Sequence, residues 1–166
     1  RDRLTAQVEL IEDLIAEAAA LARQARQKLL SEEVVAAAYD ARRRRNARFE
    51  DRMLQTMVEG TMMIDTGGRA VGRVNALTVN TAADHRFGTP VRITARSFAG
   101  RAGVVNIERA TGMSGTIQQK GAMVLGGYLA GRFAQTRPLS FTCSIAFEQV
   151  YGGVEGDSAS MAELIA

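Results

Sequence analysis

The sequence predicts an α+β protein, helical at its start and built on a mixed sheet thereafter. Three observations carry this. Of 16 glycines only Gly60 lies within the first 60 residues, and both prolines, Pro90 and Pro138, come after it; such a shift marks a boundary between an all-helical and a mixed part. Before the boundary, apolar residues recur at helical spacing. After it, apolar and polar residues alternate in short runs, the period of half-buried strands.

The helical part opens with Leu4, Val8, Ile11, Ile15, Ala18, Ala22 and Ala25 on one face. Ser31 before Glu32 and Glu33 reads as an N-cap followed by first-turn acids, which the helix dipole favours. Val34, Val35, Ala38 and Tyr39 continue that second helix. A third, short helix carries Phe49, Met53, Leu54 and Met57. One-sided stripes of this kind need a partner surface, part of which is expected to lie outside the chain.

Beyond Gly60, Thr61–Asp65 and Ala70–Asn80 around the turn Thr66-Gly67-Gly68-Arg69 read as a hairpin. Val91, Ile93 and Ala95 alternate with Arg92, Thr94 and Arg96 as a strand, and Val104–Glu108 reads as a short one. Ile117–Phe133 is helical, with Val124, Leu125, Tyr128 and Leu129 apolar. Its glycines, Gly121, Gly126, Gly127 and Gly131, cost helix propensity but let a neighbour approach closely. Leu139, Phe141, Cys143, Ile145 and Phe147 alternate with polar or small residues, the clearest strand in the chain. A final helix is expected from about Ser158.

Composition narrows the function. Hydrophobic residues make up 46% and charged residues 23%, a globular balance. No stretch is long and apolar enough to span a bilayer, and residue 1 already falls in a helical pattern rather than a signal peptide. Without an initiator Met, the chain reads as a segment of a longer protein. Cys143 is the only cysteine and His85 the only histidine, which argues against a zinc site and fits a reducing compartment. Cys143 sits on the apolar side of its strand, as a structural thiol rather than a reactive one. His85, in the turn-rich Asp84-His85-Arg86-Phe87-Gly88, reads as a solvated loop residue.

The net charge is +3, and of 21 Lys and Arg only Lys28 and Lys120 are lysine. Arg42, Arg43, Arg44, Arg45 and Arg48 cluster. A nucleic-acid patch is one reading. A solvated helix end or interdomain linker is the better one, because no aromatic stacking partners are interleaved.

The chemistry concentrates in Tyr151-Gly-Gly-Val-Glu-Gly-Asp-Ser-Ala-Ser160. A glycine-rich turn follows the best strand and leads into a helix, and helix-start N–H groups can stabilise an oxyanion. Capping is the commoner use of such a pattern. Asp157 or Ser158 suits an N-cap, Ser160 with Glu163 has capping-box spacing, and the segment is not a Gly-x-Ser-x-Gly elbow.

Glu148-Gln149-Val150-Tyr151-Gly152-Gly153-Val154-Glu155-Gly156-Asp157-Ser158-Ala159-Ser160 resembles the nucleophile motif of the Lon family of serine proteases. Upstream blocks are similar in the same order: Glu59–Asp65, Gly72–Leu77, Pro90–Ala95, Lys120-Gly121, Gly127–Leu129, Gly131–Ala134 and Pro138–Ser140. The likeness covers about residues 50–166, and residues 1–46 resemble the last helices of an AAA+ lid. The resemblance implies a helical lid remnant of an AAA+ module at 1–46, a linker helix at 47–60 and a Lon-type proteolytic domain at 61–166, truncated at its C-terminal end. It implies a serine–lysine dyad with Ser158 as nucleophile, Glu155 as an acidic tuning residue, and Asp157 and Ser158 as backbone oxyanion donors. The family's lysine lies downstream of its serine, and none of the eight residues after Ser158 is lysine. Lys120 falls in a block that does not match the dyad and reads as a structural or ion-paired helix residue. Ala76 and Gln118 stand where the family usually has glycine and histidine, departures that bear on the substrate groove rather than the fold.

The function implied is ATP-dependent endopeptidase degradation of unfolded or misfolded polypeptides in the cytoplasm, by a self-associating, six-membered ring. ATP and magnesium are expected of the full-length protein, while this segment has no Walker A pattern and no cofactor site of its own. The rival readings are a catalytically silent assembly module and the arginine-rich nucleic-acid-binding domain.

Overall fold

A computed structural model describes residues 7–166, as an α+β chain of six helices and a four-stranded mixed sheet. By contacts the chain forms two compact units, one of the helices through Arg52 together with Thr81–Arg86, the other of Met53–Asn80 and Phe87–Ala166.

In the helical unit, α1 (Val8–Gln24) packs on α2 (Glu32–Asn46). Ala18, Ala22 and Ala38 are buried, and such small side chains let helices approach closely. That tight contact uses only the C-terminal half of the α1 stripe: Val8, Ile11 and Ile15 remain exposed, and Leu4 lies outside the described residues. Ser31 does occupy the N-cap of α2 in extended backbone, but its side chain makes no cap hydrogen bond. Its hydroxyl instead holds the Glu33 carboxyl below its ordinary value. The third helix, α3, runs Arg48–Val58.

The arginine cluster is partly neutralised within this unit. Arg42 reaches Asp13 at 3.5 Å, Glu17 at 3.7 Å and Asp84 at 2.7 Å, and Arg45 also pairs with Glu17. Arg43, Arg44 and Arg48 are exposed. Desolvation works to raise Asp84, but hydrogen bonds from Asn46 and Arg42 outweigh it and hold the carboxyl below its ordinary 3.8. A depressed carboxyl adds stability above about pH 3.8 and loses it as pH falls through the lower folded value. Asp84→Asn should therefore destabilise the helical unit by about 1–2 kcal/mol at neutral pH, the scale of hydrogen bonds to charged groups. The difference from the wild type should shrink as pH falls below 3.8, as urea unfolding at pH 7 and at successively lower pH would check.

The second unit is built on β1 (Arg73–Ala82), β2 (His85–Ala99), β3 (Gly103–Asn106) and β4 (Phe141–Phe147), in the order β1-β2-β4-β3. β2 runs antiparallel to β4, with Ile93 opposite Phe147 and Ala95 opposite Ile145, while β3 runs parallel to β4, with Val104 opposite Cys143. The core holds Val91, Ile93, Leu125, Ile145, Phe147 and Val154. Leu125 comes from α5 (Thr116–Phe133), which also leaves Val124 and Tyr128 exposed. Cys143 packs against this core half-buried, and burial pushes its thiol up, which makes it a poor nucleophile.

Four expectations change. Thr61–Asp65 forms no strand, because side-chain amides take its backbone groups: Met63 N–H donates to Gln149 Oε1 at 2.6 Å, Gln149 Nε2 to Thr61 O at 2.9 Å, and Asn75 Nδ2 to Asp65 O at 2.6 Å. The hairpin is instead β1–β2, turning at Ala83 and Asp84, with Ala83 left-handed at φ 55°. His85 consequently opens β2, half-buried, with Nε2 2.7 Å from Glu50 Oε2, and is no solvated loop residue. The short strand after residue 103 stops at Asn106, whose side chain accepts the Arg109 N–H at 2.9 Å and so caps the helix α4 (Ile107–Ala110).

Candidate functional site

Ser158 lies in the turn between Val154 and α6 (Ser160–Ile165), so the last helix begins two residues later than the sequence predicts. Asp157 O accepts the Ser160 N–H at 3.1 Å and closes the turn. Ser158 itself is exposed. Its neighbours anchor it from both sides, since Val154 is buried in the core and Ala159 and Ala162 pack against it.

The loop before the serine is tied to the entrance of α5. Val154 bridges Ser114, with Val154 N–H to Met113 O and Gly115 N–H to Val154 O both at 2.8 Å. Glu155 follows, and its Oε1 accepts the Ile117 N–H, in the first turn of α5, at 3.0 Å. A carboxylate there meets an otherwise unpaired helix-start donor and the positive end of the dipole. The residue that caps α5 thus comes from the loop before Ser158, 38 positions away in sequence.

Two glycines of this region make room for those contacts. A Cβ on Gly115 would stand 1.1 Å from Glu155 Oε2, and one on Gly121 would stand 2.3 Å from Ser160 Oγ and 3.6 Å from Asp157 Cα. Gly121 therefore does what its place in α5 predicts, while Gly126, Gly127 and Gly131 have nothing within 4 Å of an added Cβ.

These contacts make Glu155 and Gly115 a coupled pair. With Ser158 as the nucleophile that the resemblance implies, Glu155→Gln in the whole protein should lower turnover about tenfold, the loss of one charge-assisted hydrogen bond, and leave measurable activity. Gly115→Ala should do the same by displacing the carboxylate, and the double variant should cost little more than either single one. Steady-state rates of the four proteins check this. Additive losses, or a Glu155→Gln as inactive as a Ser158 variant, would instead give Glu155 a part in the proton relay.

Among the described residues, the N–H groups of Asp157 and Ser158 donate to no protein acceptor. A groove of about 330 Å³ opens beside the turn, lined mainly by apolar side chains of α5 and α6, among them Val124, Tyr128, Met161 and Leu164, with Asp157 and Ser160 at its wall. Lys120 lines the same groove, is exposed, and forms no ion pair among the described residues. The sequence assigned it to scaffold and missed its place beside the turn. Its spacing gave one signal: Lys120 precedes Gly121, the residue on which the turn rests. Gln118, two residues earlier, is buried and reaches α6. Ala76 packs against the core. No group of three His, Cys, Asp or Glu among the described residues can hold a metal ion, and no helix among them is long and apolar enough to cross a membrane.

Residues 1–45 match the family described as archaeal LonB, AAA+ ATPase LID domain. A curated relative from Escherichia coli (strain K12), named "Putative Lon protease homolog", is 36% identical over 118 residues, 70% of this chain and 20% of that protein. One of the same name from Haemophilus influenzae (strain Rd) is 36% identical over 101 residues, 60% of this chain and 17% of that protein. The chain thus spans a fifth or less of the length of these relatives.

Proposed function

We propose that this chain, which belongs to the Lon family, carries the nucleophile of an ATP-dependent serine endopeptidase that degrades unfolded polypeptides. The observation that carries the proposal is Ser158 itself, an exposed hydroxyl on a turn whose flanks are fixed in the core. A serine becomes a nucleophile when a base takes its proton. Family resemblance supplies a lysine for this, kept neutral by desolvation in a closed site.

In that reading Ser158 Oγ attacks the peptide carbonyl and its proton passes to the amine. The oxygen becomes an oxyanion facing the free N–H groups of Asp157 and Ser158. Collapse expels the amine leaving group, which takes the proton, and water then hydrolyses the acyl-enzyme. Glu155 contributes indirectly, by holding the loop to the start of α5. Residues 1–46 serve as part of the lid, 47–60 as a linker helix and 61–166 as the proteolytic portion. ATP with magnesium, a ring assembly and a cytoplasmic location are the family's properties carried over to the whole protein.

The test is degradation of an unfolded protein such as casein by the purified whole protein, with and without ATP and magnesium. Fragments that appear only with the nucleotide support the reading. Nucleotide hydrolysis with no fragments would favour the silent assembly module.

A further inference from the structure

Beneath α6, four polar side chains are buried together. Glu163 on α6 is 3% exposed, Gln118 on α5 1%, Glu108 on α4 2% and Asn106 at the end of β3 4%. Asn106 Nδ2 and Gln118 Nε2 both donate to Glu163 Oε1, at 3.0 and 2.9 Å. The Phe147 N–H donates to Glu108 Oε1 at 2.8 Å. Glu163 Oε2, Glu108 Oε2 and Gln118 Oε1 are buried without any donor. Buried acceptors are paired as a rule, and a shortage of donors calls for an explanation.

Among the described residues, the neighbouring elements offer no cation. From α4 the group facing Glu163 is the like-charged Glu108, while Gln118 and Asn106 from α5 and β3 are neutral. Arg109 and Lys120 on those helices are exposed. A proton on one of the two carboxyls would balance the cluster.

We infer that Glu163 is a positioning residue for the Ser158 turn and acts as a neutral acid, the hydrogen on its Oε2 supplying the donor that the orphaned oxygen of Gln118 or Glu108 lacks. Glu163 stands five positions after Ser158 on a helix of one and a half turns, α6 (Ser160–Ile165). Its carboxyl is bonded to both α5 and β3, so it sets where that short helix, and the turn before it, can lie. The functional half of this inference rests on Ser158 being the nucleophile; the structural half does not.

The direction of titration agrees. Burial raises Glu163 above its ordinary 4.5, Gln118 and Asn106 lower it through hydrogen bonds, and the charge of Glu108 raises it, with the raising influences prevailing. A raised carboxyl gives stability that is fully present below about pH 4.5 and is lost as pH rises through the folded value. Opening of α6 then releases one proton across that window. Protection of its amides should fall about tenfold per pH unit, the slope of a one-proton release, and level off above.

The experiment is hydrogen–deuterium exchange of the 158–166 segment in the whole protein from pH 5 to 9, corrected for intrinsic rates. The wild type is expected to show the falling limb. Glu163→Gln, a permanent donor of the same shape, should flatten it. Equal slopes in both proteins would overturn the inference. Should Glu163→Gln not fold, infrared spectroscopy of the wild type decides: the carbonyl stretch of a protonated carboxyl that persists above pH 4.5 supports the acid, and its loss by that pH overturns it. Peptidase assays address position. Glu163→Gln should keep its kcat and resist the alkaline decline, whereas Glu163→Ala should lose kcat at every pH with KM little changed. Glu163→Gln as inactive as Glu163→Ala would overturn the role of the neutral acid. If even the wild type hydrolyses no peptide, the nucleophile reading fails while exchange still locates the proton.

Discussion

Ser158→Ala in the whole protein is expected to reduce peptide hydrolysis by at least about 10⁴-fold, the scale of losing a serine nucleophile, with the fold unchanged. The side chain is exposed and makes no hydrogen bond among the described residues, so its removal takes nothing from the core. The turn is held by Val154, Ala159 and the closure of Ser160 onto Asp157, none of which uses the hydroxyl. Ser160→Ala is the matched control. Its Oγ lies against Gly121, and it should retain most activity. Wild-type rates in a folded Ser158→Ala would end the protease reading of this turn. Selective loss in Ser160→Ala would move the nucleophile two residues on.

The second large effect concerns the base. These 166 residues, purified alone, are expected to hydrolyse no fluorogenic peptide above background. Serine attack needs a base within about 2.6–3.2 Å. His85 is held by Glu50, at 2.7 Å, in the helical unit. Lys120 stays exposed on α5 rather than enclosed in a closed site. The family pattern places its lysine after the serine, where this chain has none. Turnover that disappears in Ser158→Ala and also in Lys120→Met would make Lys120 the base, which its position on the same groove as Asp157 makes the specific alternative to test.

Much of this arrangement could be read from the residues alone. The alternation around Cys143 gives β4, the run Ile117–Phe133 gives α5 within one residue, and the glycine-rich turn before Ser158 is where the sequence puts it. Periodicity could see these because each buries one face against one core. It could not see Thr61–Asp65, whose strand-like residues are claimed by the amides of Asn75 and of Gln149, the latter 86 positions from Met63. Nor could it see that Glu155 caps a helix 38 residues upstream, or that Glu163, with capping-box spacing to Ser160, points instead into a buried cluster. Polar side chains choose partners across the fold, and spacing records only neighbours along the chain.

The β1–β2 turn bears on how such a protein can be recombined. Thr81–Arg86 groups with the helices, through Asp84 to Arg42 and Asn46 and through His85 to Glu50, although it is carried by strands of the other unit. A chimera that grafts a foreign helical module onto this sheet with a single crossover near residue 52 would separate those partners. It would leave Asp84 facing residues never selected beside it. A viable graft has to carry two pieces of chain, the helices and the six-residue tip, so homologous exchange at one junction should yield poorly folded offspring where a two-segment exchange succeeds.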